Sequence, residues 1–165
     1  MTSIAVIGAH RLDLGGHEKL TDPDQLNGPE YLRVVSPLRS LLMATPHLKY
    51  IYTIRPTETG LRFVVDAADP IDSDDDGVID QALLGEACTA QDPALVRAVE
   101  TGLPAVSDSP YTDKWGTFIS AFVPIKRADG TIECVVGVDA DARVYVSRLH
   151  RMNLSLIHIS EPTRR

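Results

Sequence analysis

The chain has 165 residues, enough for one domain, and 44% of them are apolar, enough for one modest core. Its 23 Asp and Glu outweigh 16 Lys and Arg, and a net charge of −7 excludes the basic footprint of a nucleic-acid binder. No run reaches the roughly 20 apolar residues that a membrane span needs.

Residues 1–26 lack sustained periodicity, because Gly15-Gly16 and Asp22-Pro23-Asp24 break them into short pieces. The apolar run over residues 4–9 has neither the charged flank nor the cleavage site of a signal peptide, though it could be the end of a membrane helix whose start was lost. The first helix is expected to start at Pro29, whose missing N–H is tolerated in a first turn. Tyr31, Val34, Val35, Leu38, Leu41 and Leu42 recur at three- and four-residue spacing and form its apolar stripe. Pro37 should kink it, and it should end near Pro46.

The period then changes to two. Residues 50–54 read as a strand, Thr57-Glu58-Thr59-Gly60 as a turn and residues 61–65 as the returning strand. Seven aspartates follow between Asp66 and Asp80 with no basic residue among them, so they account for the whole net charge. Within that stretch Asp72, Asp74, Asp76 and Asp80 have the spacing D-x-D-x-D-G-x-x-D, which matches the first nine positions of a calcium loop. The twelfth position is Leu83 rather than a bidentate Glu, so a Ca2+ site and a solvated acidic loop both stay open.

A short helix is expected over residues 92–101, with Asp92 as its N-cap, Pro93 as its first residue and Gly102 as its C-cap. Residues 116–126 and 131–139 read as a hairpin turned at Asp129-Gly130, and residues 141–152 as a last helix. Alternation puts Ile119, Ala121, Val123 and Ile125 on one side of this hairpin with Cys134, Val136 and Val138. The other side has Phe118, Ser120 and Phe122 with Val135, Gly137 and Asp139. The first set suits packing under the first helix. The second offers aromatic walls, a hydroxyl, a gap at Gly137 and a carboxylate, which is the composition of a ligand pocket. Together the elements describe an α+β domain with a mainly antiparallel sheet.

Enzyme templates are absent. There is no G-x-S-x-G, P-loop or G-x-G-x-x-G, and His17-Glu18 begins a zinc motif that Thr21 fails to complete. Cys88 and Cys134 fit no metal spacing; free thiols are the plainer reading, and a disulfide stays open for an oxidising compartment.

The run Asp108-Ser109-Pro110-Tyr111-Thr112-Asp113-Lys114-Trp115-Gly116-Thr117, continuing through Pro124-Ile125 and into Val135-Val136-Gly137-Val138-Asp139, resembles the extracytoplasmic Cache (PDC, PAS-like) sensor domains of bacterial receptors. Leu38-Arg39-Ser40-Leu41-Leu42, Tyr50-Ile51-Tyr52-Thr53 and Phe63-Val64-Val65-Asp66 extend the resemblance over roughly residues 17–152. It implies a PAS-like sheet of the single Cache type, with a long N-terminal and a C-terminal helix. It also implies a periplasmic module of a membrane-anchored histidine kinase, diguanylate cyclase or chemoreceptor, able to dimerise through its terminal helices. Tyr52, Asp66, Tyr111, Trp115, Ser120 and Asp139 would line its small-molecule pocket. The Arg-Trp-Tyr signature of the amino-acid-binding branch is absent. On this reading residues 1–26 are a membrane-proximal or linker segment and residues 27–152 the sensor. Residues 154–165 resemble a translated sequencing-adapter read, so residues 153–165 are expected to be a non-native tail. The second reading is a calcium-stabilised dimerisation or spacer module without a pocket.

Overall fold

The computed structural model describes residues 1–90 and 92–144. Three helices come first: α1 (Thr2–Arg11), α2 (Leu14–Glu18) and α3 (Pro29–Met43). The hairpin β1 (Tyr50–Thr57) and β2 (Gly60–Asp66) follows, then α4 (Pro93–Thr101). The short strands β3 (Ala105–Val106) and β4 (Tyr111–Asp113) lead into β5 (Gly116–Lys126) and β6 (Ile132–Asp141). All pairings are antiparallel, in the order β2-β1-β6-β5-β3, with β4 also on β5. The chain therefore has an α+β fold in which the two long hairpins lie side by side. The helix expected over residues 141–152, like the tail beyond it, lies outside the described residues from 145 on.

The sheet separates two cores. On one side the α3 residues Tyr31, Val34, Val35, Leu38 and Leu41 pack on Ile51, Val64, Ala121, Val123, Val136 and Val138. On the other, Ala94, Leu95 and Ala98 of α4 pack with Ile54, Phe118, Phe122 and Val135. The side-chain period of two thus sorts the hairpin residues as their alternation predicts. The caps of α4 also form as expected. The Asp92 carboxylate accepts the Ala94 N–H at 2.7 Å, and Gly102 takes the left-handed conformation at φ 63°.

Residues 1–26 carry α1 and α2, where no sustained pattern had been visible. The reason is size. α1 buries Ala5 and Gly8, and a Cβ on Gly8 would already stand 3.4 Å from Val136 and 3.5 Å from Leu38. Small contact residues bring the helix close to the sheet but leave little apolar periodicity to read.

α2 brings His17 into a buried polar network. Thr53 Oγ1 accepts the Val65 N–H and lies 2.8 Å from His17 Nε2; because the Glu133 carboxylate can only accept from Nδ1–H, Nε2 of the neutral ring accepts the Thr53 hydroxyl. His17 Nδ1–H then donates to Glu133 Oε1 at 2.9 Å, and the imidazole is neutral. Burial first, then the Arg55 guanidinium, pulls the His17 pKa down to about 3. Arg55 and Arg127 complete the network by donating to Glu133. A β-bulge places Glu133 there: Ile125 pairs Cys134 while Lys126 pairs Ile132, so Glu133 is the extra residue.

Candidate functional site

The α4 side of the sheet holds a compact aromatic and acidic box. Tyr50 and Tyr52 point there because they alternate on β1, and Phe63 faces them from β2. Tyr52 meets Phe63 edge-on at 5.4 Å between centroids, Phe63 meets Trp115 at 5.5 Å, and Tyr50 meets Phe118 at 5.6 Å. Trp115 Nε1 donates to the Ile79 carbonyl at 2.9 Å, tying the turn before β5 to the acidic loop. The Lys114 ammonium sits over the Trp115 ring, 4.1 Å from its centroid.

Four carboxylates line the same space: Asp66, Asp80, Asp113 and Asp139. Asp139 Oδ1 accepts the Tyr52 hydroxyl at 3.0 Å and the Ser120 hydroxyl at 2.5 Å. Tyr111 Oη lies 3.2 Å from Ser120 Oγ. Burial pushes the Asp139 pKa up to about 8, more than these donors pull it down. Burial also raises Tyr52, Tyr111 and Asp113. Asp66 is pushed up to about 7 by burial, although Ala68 and Ala82 each donate a backbone N–H to it at 2.9 Å. Burial pushes Asp80 upward too, but hydrogen bonds from Ser73 and Tyr50 outweigh it and the net direction is down.

The box is closed. The cavity between these groups is about 10 Å³, room for the centre of one water molecule. The gap expected at Gly137 is filled by the Tyr52 ring, which a Cβ on Gly137 would meet at 2.4 Å. Phe118 and Phe122 are buried among large side chains.

Of the six pocket residues expected from sequence, Tyr52, Asp66, Trp115 and Asp139 line the box; Ser120 joins it through Asp139, and Tyr111 through Ser120. Asp66 serves chiefly to staple the loop after β2, since both its oxygens accept backbone N–H groups. Tyr50, Phe63, Asp80 and Asp113 were not foreseen. The alternation that selected Tyr52 also selects Tyr50, so that residue was within reach.

The calcium pattern is split by the structure. Carboxylate oxygens of Asp72, Asp74 and Asp76 lie within 4.8 Å of one another. Asp80 does not join them; it accepts the Tyr50 hydroxyl at 2.7 Å and the Ser73 N–H at 3.1 Å. Asp74 pairs with Lys49 at 3.0 Å. His17, which begins the incomplete zinc motif, is a buried core histidine. Both cysteines are free: Cys134 packs among the helices and Cys88 against the aromatic core, on opposite sides of the sheet. No helix among the described residues is long and apolar enough to cross a membrane.

The fold is similar to the periplasmic sensory domain of the Campylobacter jejuni chemoreceptor Tlp1, with a TM-score of 0.52 and 9% identity over 88% of this chain and 55% of that one. This chain thus spans about half the length of that domain. At such identity the likeness is one of fold: an α+β arrangement on an antiparallel sheet. No family model and no curated protein matches the sequence.

Proposed function

We propose that this chain is the extracytoplasmic, small-molecule-sensing module of a bacterial membrane receptor, and that its box takes a compact organic cation. The observation that carries this reading is the lining. Five aromatic rings and four carboxylates converge on one point, and no basic side chain among the described residues lines the space. Aromatic faces and carboxylates both attract an ammonium group, and a desolvated site strengthens each attraction. Burying the Asp66 and Asp139 carboxylates is costly in a purely structural core, and burial at the expense of raised pKa values marks sites with a task. The fold supports a sensory role, and the hydroxyl–imidazole pair of Thr53 and His17 is fully buried in the core, away from any substrate.

The nearly filled box fits a sensor with two states. Ligand entry would move the Trp115 turn outward, break its bond to Ile79 and shift the balance toward an open form. The flanking receptor, its kinase, cyclase or chemotaxis output, its membrane anchor and any homodimer through the terminal helices belong to the same proposal. The test is a titration followed by Trp115 fluorescence, since Trp115 is the only tryptophan. Small primary and quaternary amines should change the signal saturably and raise the melting temperature, and organic acids of equal size should leave the fluorescence unchanged. No response to any amine at millimolar concentration would remove cation sensing.

A second reading is favoured by the filled face around Phe118 and Phe122: a structural or dimerisation module steadied by Ca2+ at Asp72, Asp74 and Asp76. Three oxygens in reach of one another suit a hard cation, but Leu83 at the twelfth position and the diversion of Asp80 leave the set short. Millimolar calcium should then give calorimetric heat and a higher melting temperature. An unchanged melt would end that reading.

A further inference from the structure

A second cleft lies outside the box, beneath the last turn of α3. Arg39, Leu42 and Met43 form one wall, and Lys49 with Tyr50 form the floor at the start of β1. Ala67, Ala68 and Ile71, from the segment after β2, form the other wall. Its volume is about 240 Å³, smaller than a site for a drug-sized molecule but ample for a few heavy atoms.

Of the polar groups around this cleft, two are committed to partners within the chain. Asp80 accepts from Tyr50 and Ser73, and Lys49 is held by Asp74. Asp69 sits on the exposed rim. Arg39 has no ion pair among the described residues, and its Nε is buried without a hydrogen-bond partner. It is the one buried side-chain nitrogen or oxygen among the described residues in that position. A native protein rarely leaves such a donor unmatched without a reason, since a buried unpaired donor costs about 1–3 kcal/mol and more when charged. A guanidinium presents its donors in a planar fork that fits a carboxylate in two-point contact. The rest of the lining, Leu42, Met43, Ala67, Ala68 and Ile71, is apolar.

We infer that this cleft is a second ligand site, which takes a small organic monocarboxylate, with Arg39 as the anion partner and the apolar walls around the hydrocarbon part. Tyr50 and Asp80 line both this cleft and the box, so the two sites share one wall. The inference does not depend on what the box binds.

The experiment is calorimetric titration of the whole chain with butyrate, hexanoate and benzoate, with butanol as the uncharged control. The carboxylates should bind and butanol should not. Arg39→Gln should weaken carboxylate binding at least tenfold, and Arg39→Lys should keep part of it. Ile71→Trp changes an exposed rim residue and should block the cleft while leaving Arg39 in place. Amine titrations read at Trp115 should be unchanged in all three variants, which separates this site from the box. Carboxylate heats equal in wild type, R39Q and I71W, or no carboxylate heat at millimolar concentration, would overturn the inference.

Discussion

The two sides of the sheet are built on different principles. The α1–α3 side is an aliphatic core of Val, Leu and Ile, sealed at one edge by the neutral His17 and its Glu133, Arg55 and Thr53 partners. The α4 side is aromatic and acidic, and hydroxyl-to-carboxylate bonds at Asp139 and Asp80 hold its central groups. Packing without alternatives makes the first side a rigid support. The second contains groups whose protonation and partners can change, so it is the side that can respond.

Four substitutions should break or sharpen this contrast. The largest effect should come from Leu38→Ala, which empties the helix side and should cost about 2–5 kcal/mol in urea unfolding. It should leave amine affinity in the folded protein unchanged; a large loss of affinity would mean that the two sides are not independent. Glu133→Ala should cost about 3 kcal/mol, because Arg55 and Arg127 lose a shared buried partner. Chemical denaturation at neutral pH measures it. Gly137→Ala should cost about 1–3 kcal/mol, since the new methyl overlaps the Tyr52 ring, and should disturb the Asp139 bond as well.

Asp139→Asn should have the smallest effect near pH 4 and a growing one above it. The folded-state pKa of Asp139 is about 8, above its unfolded value of about 3.9. Between those values the folded state holds a proton that the unfolded chain has released, so rising pH works against folding in this window. Asn stands in for the protonated acid and removes that slope. At pH 8 the variant should gain several kcal/mol, up to about 5, relative to wild type. Melting curves at pH 5, 6.5 and 8 should show the gap widening; parallel curves would assign Asp139 an ionised state throughout.

Much of this contrast was legible in the sequence. The hairpin residues sorted to the predicted sides because a period of two admits no other arrangement under a buried α3. Glu133 escaped, since a bulge leaves no mark in alternation, and only the Ile125–Cys134 and Lys126–Ile132 pairings reveal it. α1 escaped because Ala5 and Gly8 make contact without a large apolar signal. The pocket expected over Ser120, Gly137 and Asp139 was read as hollow, yet Tyr52 from a neighbouring strand lies across Gly137. Cross-strand filling depends on register, which residue spacing does not specify. Asp80 fitted a metal spacing but turned inward to Tyr50, because a buried hydroxyl competes for the same carboxylate.

The most direct measurement is amine binding to wild type and Asp139→Asn at pH 6 and pH 8.5, by calorimetry in two buffers of different ionisation heat. If the box binds cations through Asp139, wild-type affinity should be at least tenfold higher at pH 8.5, with proton release at pH 6 and an affinity loss in the Asn variant. Equal affinities at both pH values and in both proteins would contradict cation binding at this carboxylate.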